Sequence, residues 1–159
     1  MEQMQPSQMT ETPALESVVT DVLGDLAFMV SEDSVSEART DTIWLHGRIE
    51  YEGPIRGEVS CWCTREFALQ LAANLLGVEP DAGDALVATE DAFSEYLNVL
   101  CGHLVTRWHG TEAVFNLTIP EVVECEAAPE LAALNVDQKC SLVVDGECLY
   151  AAHAELQGG

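Results

Sequence analysis

Positive charge is what this sequence has least of. Its 159 residues hold only 6 Lys plus Arg against 28 Asp plus Glu, which gives a formal net charge of −22 at pH 7, and Lys139 is the one lysine. A surface of this sign repels the phosphates of nucleic acids and the anionic headgroups of lipids. We therefore expect neither nucleic acid nor a membrane among the partners of this chain.

Targeting and membrane-spanning signals are also lacking. The N-terminus has no basic stretch and no apolar run, and no later stretch offers the roughly 18 consecutive apolar residues of a membrane span. We expect a cytoplasmic protein. An apolar fraction of 48% is ordinary for a globular chain, and this length suits one core. The boundaries we expect are a disordered tail over 1–11, a single domain over 12–156 and a C-terminal tail over 157–159.

The motifs of metal and cofactor sites are missing as well. The six cysteines include no C-x-x-C pair, and the four histidines do not supply the spacing of a zinc site. Cys61 and Cys63 fall on one face of an expected strand, where a thiol acts as a small apolar residue. A glycine-rich phosphate cradle is absent too. We expect no metal and no cofactor of the chain's own.

The first ordered element is expected to be an amphipathic helix. Thr12 can cap its N-terminus and Pro13 suits its first turn. Apolar residues at helical spacing then continue to about Val30. Polar residues over 31–41 predict a loop.

A β-hairpin and a second helix follow. Apolar residues alternate with polar ones over 43–51 and again over 55–63, with a Glu-Gly-Pro turn at 52–54 between them. This pattern is typical of two antiparallel strands. Thr64 can then cap a helix that Gly77 ends.

The second half predicts a long helix, a strand and a final hairpin. The helix has a break near Thr89 and ends at Gly110, and alternation over 113–119 predicts a strand that Pro120 interrupts or confines to an edge. Asp145-Gly146 is the strongest hairpin signal of the chain. The whole order predicts an α+β fold, an antiparallel or mixed sheet of about five or six strands with long helices packed on one face.

The long helix has two different faces. Apolar residues lie on one side, while Asp91, Glu95, Asn98 and Gly102 line up on nearly the opposite side. Glu95 and Asn98 are one turn apart, so both side chains can reach the same external object. A bare E-x-x-N pair is also typical of a solvated helix face. Gly102 has two interpretations, a close approach by another backbone or the packing of the helix inside its own fold.

These four residues, Asp91, Glu95, Asn98 and Gly102, form a stripe along the helix, and their spacing resembles that of a known family. Asp91-x-x-x-Glu95-x-x-Asn98, followed by Gly102 and by Pro120, resembles the signature of the CheC/CheX/FliY family of chemotaxis phosphatases, and the single copy is similar to the CheX type. His103 stands where that pattern has Asn.

The resemblance implies hydrolysis of the aspartyl phosphate on a CheY-like response-regulator receiver domain. It implies that Asn98 positions the attacking water and that Glu95 docks onto the receiver's lysine. Asp91 and Gly102 complete the implied receiver-binding stripe. The receiver would supply Mg²⁺, and the chain would form a homodimer.

Two other functions remain open from the sequence. The chain could keep the fold and bind a receiver or another signalling protein without turnover, since a net charge of −22 opposes association with an acidic phosphorylation site. It could also be a structural or oligomerisation domain whose stripe is only solvated.

Overall fold

The structure, a computed structural model, describes residues 14–32 and 39–157. Several sequence predictions fall outside these ranges: the tail over 1–11, the helix start at Thr12 and Pro13, the middle of the first loop at 33–38, and the end of the C-terminal tail at 158–159.

Four α-helices and six strands make up the described part of the chain. The helices are α1 (Leu15–Ala27), α2 (Arg65–Leu76), α3 (Gly83–Val87) and α4 (Thr89–His109), with one 3₁₀ turn at Leu131–Ala133. The strands are β1 (Trp44–Glu52), β2 (Arg56–Thr64), β3 (Asn116–Leu117), β4 (Glu121–Cys125), β5 (Gln138–Val144) and β6 (Glu147–Leu156). The predicted α+β class is confirmed.

The strands form one sheet in the order β3-β1-β2-β6-β5, and each neighbouring pair is antiparallel. Strand β4 lies off this path and also pairs with β1, along residues 44–48, whereas β3 pairs with residues 51–52. The strand predicted over 113–119 is wrong in extent, because β3 covers only Asn116–Leu117, whereas the predicted interruption at Pro120 is confirmed. Pro120 separates β3 from β4 because it has no amide hydrogen to continue the ladder.

Both predicted hairpins are present. The final one turns at Asp145 and Gly146, whose φ angles of 52° and 78° are both positive, as a two-residue turn of this kind requires. Helix α1 ends earlier than predicted, at Ala27 rather than near Val30. Phe28 adopts a left-handed conformation there, and its N–H donates to the carbonyl of Gly24 at 3.1 Å.

The helices cover one face of the sheet. Side chains that alternate along β1 and β2 point into a continuous core that includes Leu45, Ile49 and Val59. Strand β1 has a glycine, Gly47, in this row, where a Cβ atom would collide with Leu97 of helix α4. The missing side chain lets α4 lie directly on the strand.

The opposite face of the sheet carries a small apolar cluster. Trp44, Val143 and Cys148 are buried there, and Ala128 from the connection between β4 and β5 packs against them. The six cysteines are all free thiols, and five of them are buried. The prediction that they are small core residues is confirmed for these five. Burial raises the pKa of Cys101 to about 12, so its thiol stays protonated.

Helix α2 begins as predicted, with Thr64 as its cap. The Thr64 Oγ1 accepts a hydrogen bond from the Phe67 N–H at 3.1 Å and donates to Glu147 Oε1 at 2.8 Å, and the residue is fully buried. The hydroxyl thus joins the start of α2 to strand β6 and satisfies an amide that the helix leaves open.

We expect Thr64→Ala to lower the free energy of unfolding by about 1–2 kcal/mol, because both hydrogen bonds of the buried hydroxyl are lost. Urea denaturation measures this change. Thr111→Ala, at an exposed threonine with no side-chain hydrogen bond to the described residues, is the control and should change stability by less than about 0.5 kcal/mol. Equal effects of the two substitutions would contradict the role assigned to the cap.

Candidate functional site

Helix α4 carries the predicted stripe and has the predicted two faces. Phe93, Leu97, Leu100 and Leu104 are fully buried on the sheet side. The buried arc is wider than the sequence pattern indicated, because it also includes Tyr96 and other residues at its borders, namely Ala92, Cys101 and Val105. Helices α1 and α2 pack along both flanks of α4 and bury these borders.

The polar residues of the stripe point away from this core. Asp91, Glu95 and Asn98 are exposed, and none of the three side chains forms a hydrogen bond or ion pair with residues 14–32 or 39–157. A carboxylate and a carboxamide one turn apart are thus presented on a helix that the rest of the fold holds in place. Both groups remain available to an external partner.

Several contacts fix the position of α4 beneath the stripe. The Tyr96 hydroxyl donates to the carbonyl of Val19 in α1 at 3.1 Å, and this tyrosine is fully buried. The start of the helix is a break at Ala88, close to the predicted position at Thr89. Glu90 and Asp91 lie in the first turn, where the positive end of the helix dipole favours carboxylates.

The C-terminal end of α4 is held by an aromatic cluster. The Trp108 ring packs edge-on against His153 of strand β6, with 4.6 Å between the ring centroids. His153 is 5% exposed, and its Nε2 lies 2.8 Å from the Tyr51 hydroxyl. Its Nδ1 is buried and has no hydrogen-bond partner in the described part of the chain. Sequence reasoning missed this cluster because its members come from three separate elements.

Gly102 lies one turn beyond Asn98 and is half-buried. A Cβ atom built on it would meet no atom within 4 Å, counting the described residues outside its own helix backbone. Packing within the fold therefore does not explain this glycine. Beside it, an open groove of about 300 Å³ runs between α4 and the segment around strand β3.

The basic residues of the chain are used away from the stripe. Each of the five arginines forms at least one ion pair with a carboxylate of another element, and within the described residues none of these pairs includes Asp91 or Glu95. Arg107 is on the same helix, but it contacts Asp21 of α1 at 2.7 Å. The carboxylates of the stripe are therefore not neutralised by a cation of the described residues.

The described residues do not form a metal-binding site. Over residues 14–32 and 39–157, no group of three or more His, Cys, Asp or Glu side chains is arranged to hold a metal ion. The same ranges contain no helix long and apolar enough to cross a bilayer.

A single antiparallel sheet with helices on one face is the fold of CheX and CheC-like chemotaxis proteins. A family described as "Chemotaxis phosphatase CheX" matches residues 45–144, which is more than half of the chain. The chain belongs to the CheX family, as the resemblance predicted. No curated protein gives a significant match to the sequence.

Solved structures of the same class share this fold. The chain is similar to a chemotaxis protein CheX from Vibrio vulnificus, with a TM-score of 0.65, 18% identity, and coverage of 89% of this chain and 93% of that one. For CheX from Desulfovibrio desulfuricans the TM-score is 0.64 and the identity 14%, with coverage of 89% of this chain and 96% of that one. For CheX in a CheX-CheY-BeF₃-Mg²⁺ complex from Borrelia burgdorferi the TM-score is 0.57 and the identity 19%, with coverage of 90% of this chain and 96% of that one.

Burial makes the folded state sensitive to acid at two histidines. It lowers the pKa of His153 below its ordinary value of 6.5, while Asp137 and Glu155 oppose the shift, and it also lowers the pKa of His46. The folded protein therefore binds fewer protons than the unfolded chain once the pH falls below about 6.5. Stability that is present above this pH is lost as the pH drops toward the folded-state values.

We expect the free energy of unfolding to fall between pH 7.5 and 5.5, with a limiting slope of about 1.4 kcal/mol per pH unit for each histidine. His153→Gln removes one titrating ring but keeps a polar group near Tyr51. This variant should start less stable at pH 7.5 and lose less over the range. Parallel pH profiles for the two proteins would show that His153 is not one of the responsible groups.

Proposed function

We propose that this chain hydrolyses the aspartyl phosphate of a CheY-like receiver domain. The observation that carries the proposal is the pair Glu95 and Asn98, exposed, adjacent and unengaged on a helix that the core holds in place. Membership of the CheX family supports it. So does the complex of a structurally similar CheX with CheY, BeF₃ and Mg²⁺ from Borrelia burgdorferi.

The chemistry needs little from the phosphatase. Water attacks phosphorus, the bond from phosphorus to the aspartyl oxygen breaks, and the products are inorganic phosphate and the receiver carboxylate. Charge on the phosphoryl group is neutralised by the Mg²⁺ and the lysine that the receiver brings, so this chain needs no metal of its own. What it must add is a water held in line with the breaking bond.

Asn98 is the residue suited to hold that water. Its carboxamide can accept a hydrogen bond from the water and donate one to a phosphoryl oxygen, and it does so without titrating. No hydrogen bond with the described residues turns the side chain away from the partner.

Glu95 is the residue suited to dock. A carboxylate exposed on the same face can form a charge-assisted contact with the receiver's lysine and so fix the distance between Asn98 and the phosphoryl group. Asp91, one turn earlier, extends the acidic edge of this contact. The absence of an arginine partner for either carboxylate among the described residues leaves both ready to pair with the receiver.

Binding without turnover is the competing function, and it is motivated by the net charge of −22, which opposes the rapid encounter that turnover needs. Repulsion between two acidic surfaces slows their encounter, and added salt screens it. A receiver that binds this chain but loses its phosphoryl group no faster than it does alone would establish the binding module and overturn the phosphatase.

Asn98→Ala tests the catalytic role. A CheY-like receiver is phosphorylated with acetyl phosphate, and its dephosphorylation is followed with wild-type and variant protein. We expect the variant to lose turnover by a factor on the order of 10² while its affinity for the receiver changes little, because only the positioning of water is removed. Asn135→Ala, at another exposed asparagine, is the matched control and should behave like wild type.

Glu95→Gln tests the docking role. The change keeps the shape of the side chain but removes the charge that pairs with a lysine, so we expect KM for the phosphorylated receiver to rise about tenfold. Glu130→Gln removes one exposed charge elsewhere and controls for the lower net charge. If both variants change KM equally, Glu95 acts only through the overall field and not through a specific contact.

A further inference from the structure

The groove beside Gly102 is the strongest feature that the proposed chemistry leaves unused. It has a volume of about 300 Å³ and lies between the C-terminal half of α4 and the chain that leads into β3. Its lining has no charged side chain and includes Gly102, Val105, Ala113, Phe115 and Leu117. In a chain with 28 acidic residues, this is a neutral patch directly next to the stripe.

Gly102 makes the groove accessible from the stripe. A glycine inside a helix destabilises it by about 1 kcal/mol relative to alanine. The described part of the chain offers no reason for it, since a Cβ atom there would lie in open space. Close approach by a binding partner explains why this position has no side chain.

The floor of the groove is held in place by its neighbours. The Phe115 ring packs edge-on against Tyr51, with 5.6 Å between the centroids, and Leu117 pairs with Tyr51 across strands β3 and β1. Val105, at 6% exposure, closes the helix side. An apolar group that enters the groove therefore meets a preformed surface and does not have to order it.

The position of the groove identifies its occupant. Gly102 follows Asn98 by four residues, about 6 Å along the helix axis. A standard protein–protein interface buries about 800 Å² on each partner, which as a disc extends roughly 16 Å from its centre. A receiver that brings its phosphoryl group to Asn98 must therefore cover Gly102 and the groove as well.

We propose that the groove beside Gly102 seats an apolar side chain of the receiver domain, next to the phosphorylated aspartate. This inference rests on the proposed function, because it places the receiver at Asn98. The stripe supplies charge and water positioning, whereas the groove supplies apolar burial free of the repulsion between acidic surfaces. Receivers that present an apolar residue at this point are then bound in preference to those that present a charge.

The test measures binding separately from turnover. The probe is a CheY-like receiver loaded with beryllofluoride and Mg²⁺, a stable mimic of the phosphorylated state. Gly102→Leu fills the mouth of the groove, and we expect it to raise Kd for this probe about tenfold. Gly102→Ala should weaken binding less.

A matched control uses another glycine inside a helix. Gly24 lies in α1, where an added Cβ would meet only the Met29 carbonyl oxygen at 3.9 Å. Gly24→Ala and Gly102→Ala should both raise the melting temperature by a few degrees, but only the second should weaken binding. Thermal unfolding of each variant shows that a loss of affinity does not come from a loss of folding.

The outcomes separate this inference from the proposed function. If Asn98→Ala abolishes turnover and Gly102→Leu binds the probe as wild type does, the phosphatase stands and the groove assignment fails. If Asn98→Ala keeps full turnover, the proposed chemistry fails, and the probe affinity of Gly102→Leu still decides the groove. If Gly102→Leu changes sedimentation but leaves probe affinity unchanged, the groove belongs to a second copy of this chain, which overturns the assignment.

Discussion

The close packing of helix α4 on strand β1 is the constraint on which the rest of the structure depends. Gly47 leaves a gap in the strand into which Leu97 and Phe93 fit, so the helix lies against the backbone of the sheet. A side chain at this position would have to push the helix outward, because protein cores have little free volume. The opposite face of the same helix carries Glu95 and Asn98. Core contacts of α4 therefore determine where these two side chains lie relative to the sheet.

The distribution of charge also distinguishes the stripe from the rest of the surface. The ion pairs formed by the five arginines are at least partly exposed to solvent, and exposed pairs of this kind contribute little to stability. They do, however, neutralise carboxylates on the sheet and on helices α1 and α2, whereas the carboxylates of the stripe are left unneutralised by the described residues. Negative charge is thus left uncompensated at the stripe, where the proposed partner brings a lysine and a metal ion. The groove beside Gly102 gives the same partner an uncharged contact.

Local signals in the sequence predicted most of the secondary structure. The cap at Thr64, the hairpin at Asp145-Gly146 and the two faces of α4 are each determined by residues close together in the chain. Interactions between distant residues were not predictable in this way. The pairing of both β3 and β4 with β1, and the groove at Gly102, depend on elements that meet only after folding. The stripe itself could be predicted, but periodicity alone left it indistinguishable from a solvated face.

The shape of the candidate site follows from the chemistry proposed for it. Most enzymes surround a small substrate with a concave pocket that supplies the catalytic groups. Here the electrophile, the metal ion and the lysine would all belong to the substrate protein, so the concave site would be the receiver's. A phosphatase acting on such a substrate would need a rigid, convex surface that can enter the receiver's site. An exposed helix held by its buried face is such a surface, and its precision comes from the core contacts of Leu97, Phe93 and Tyr96.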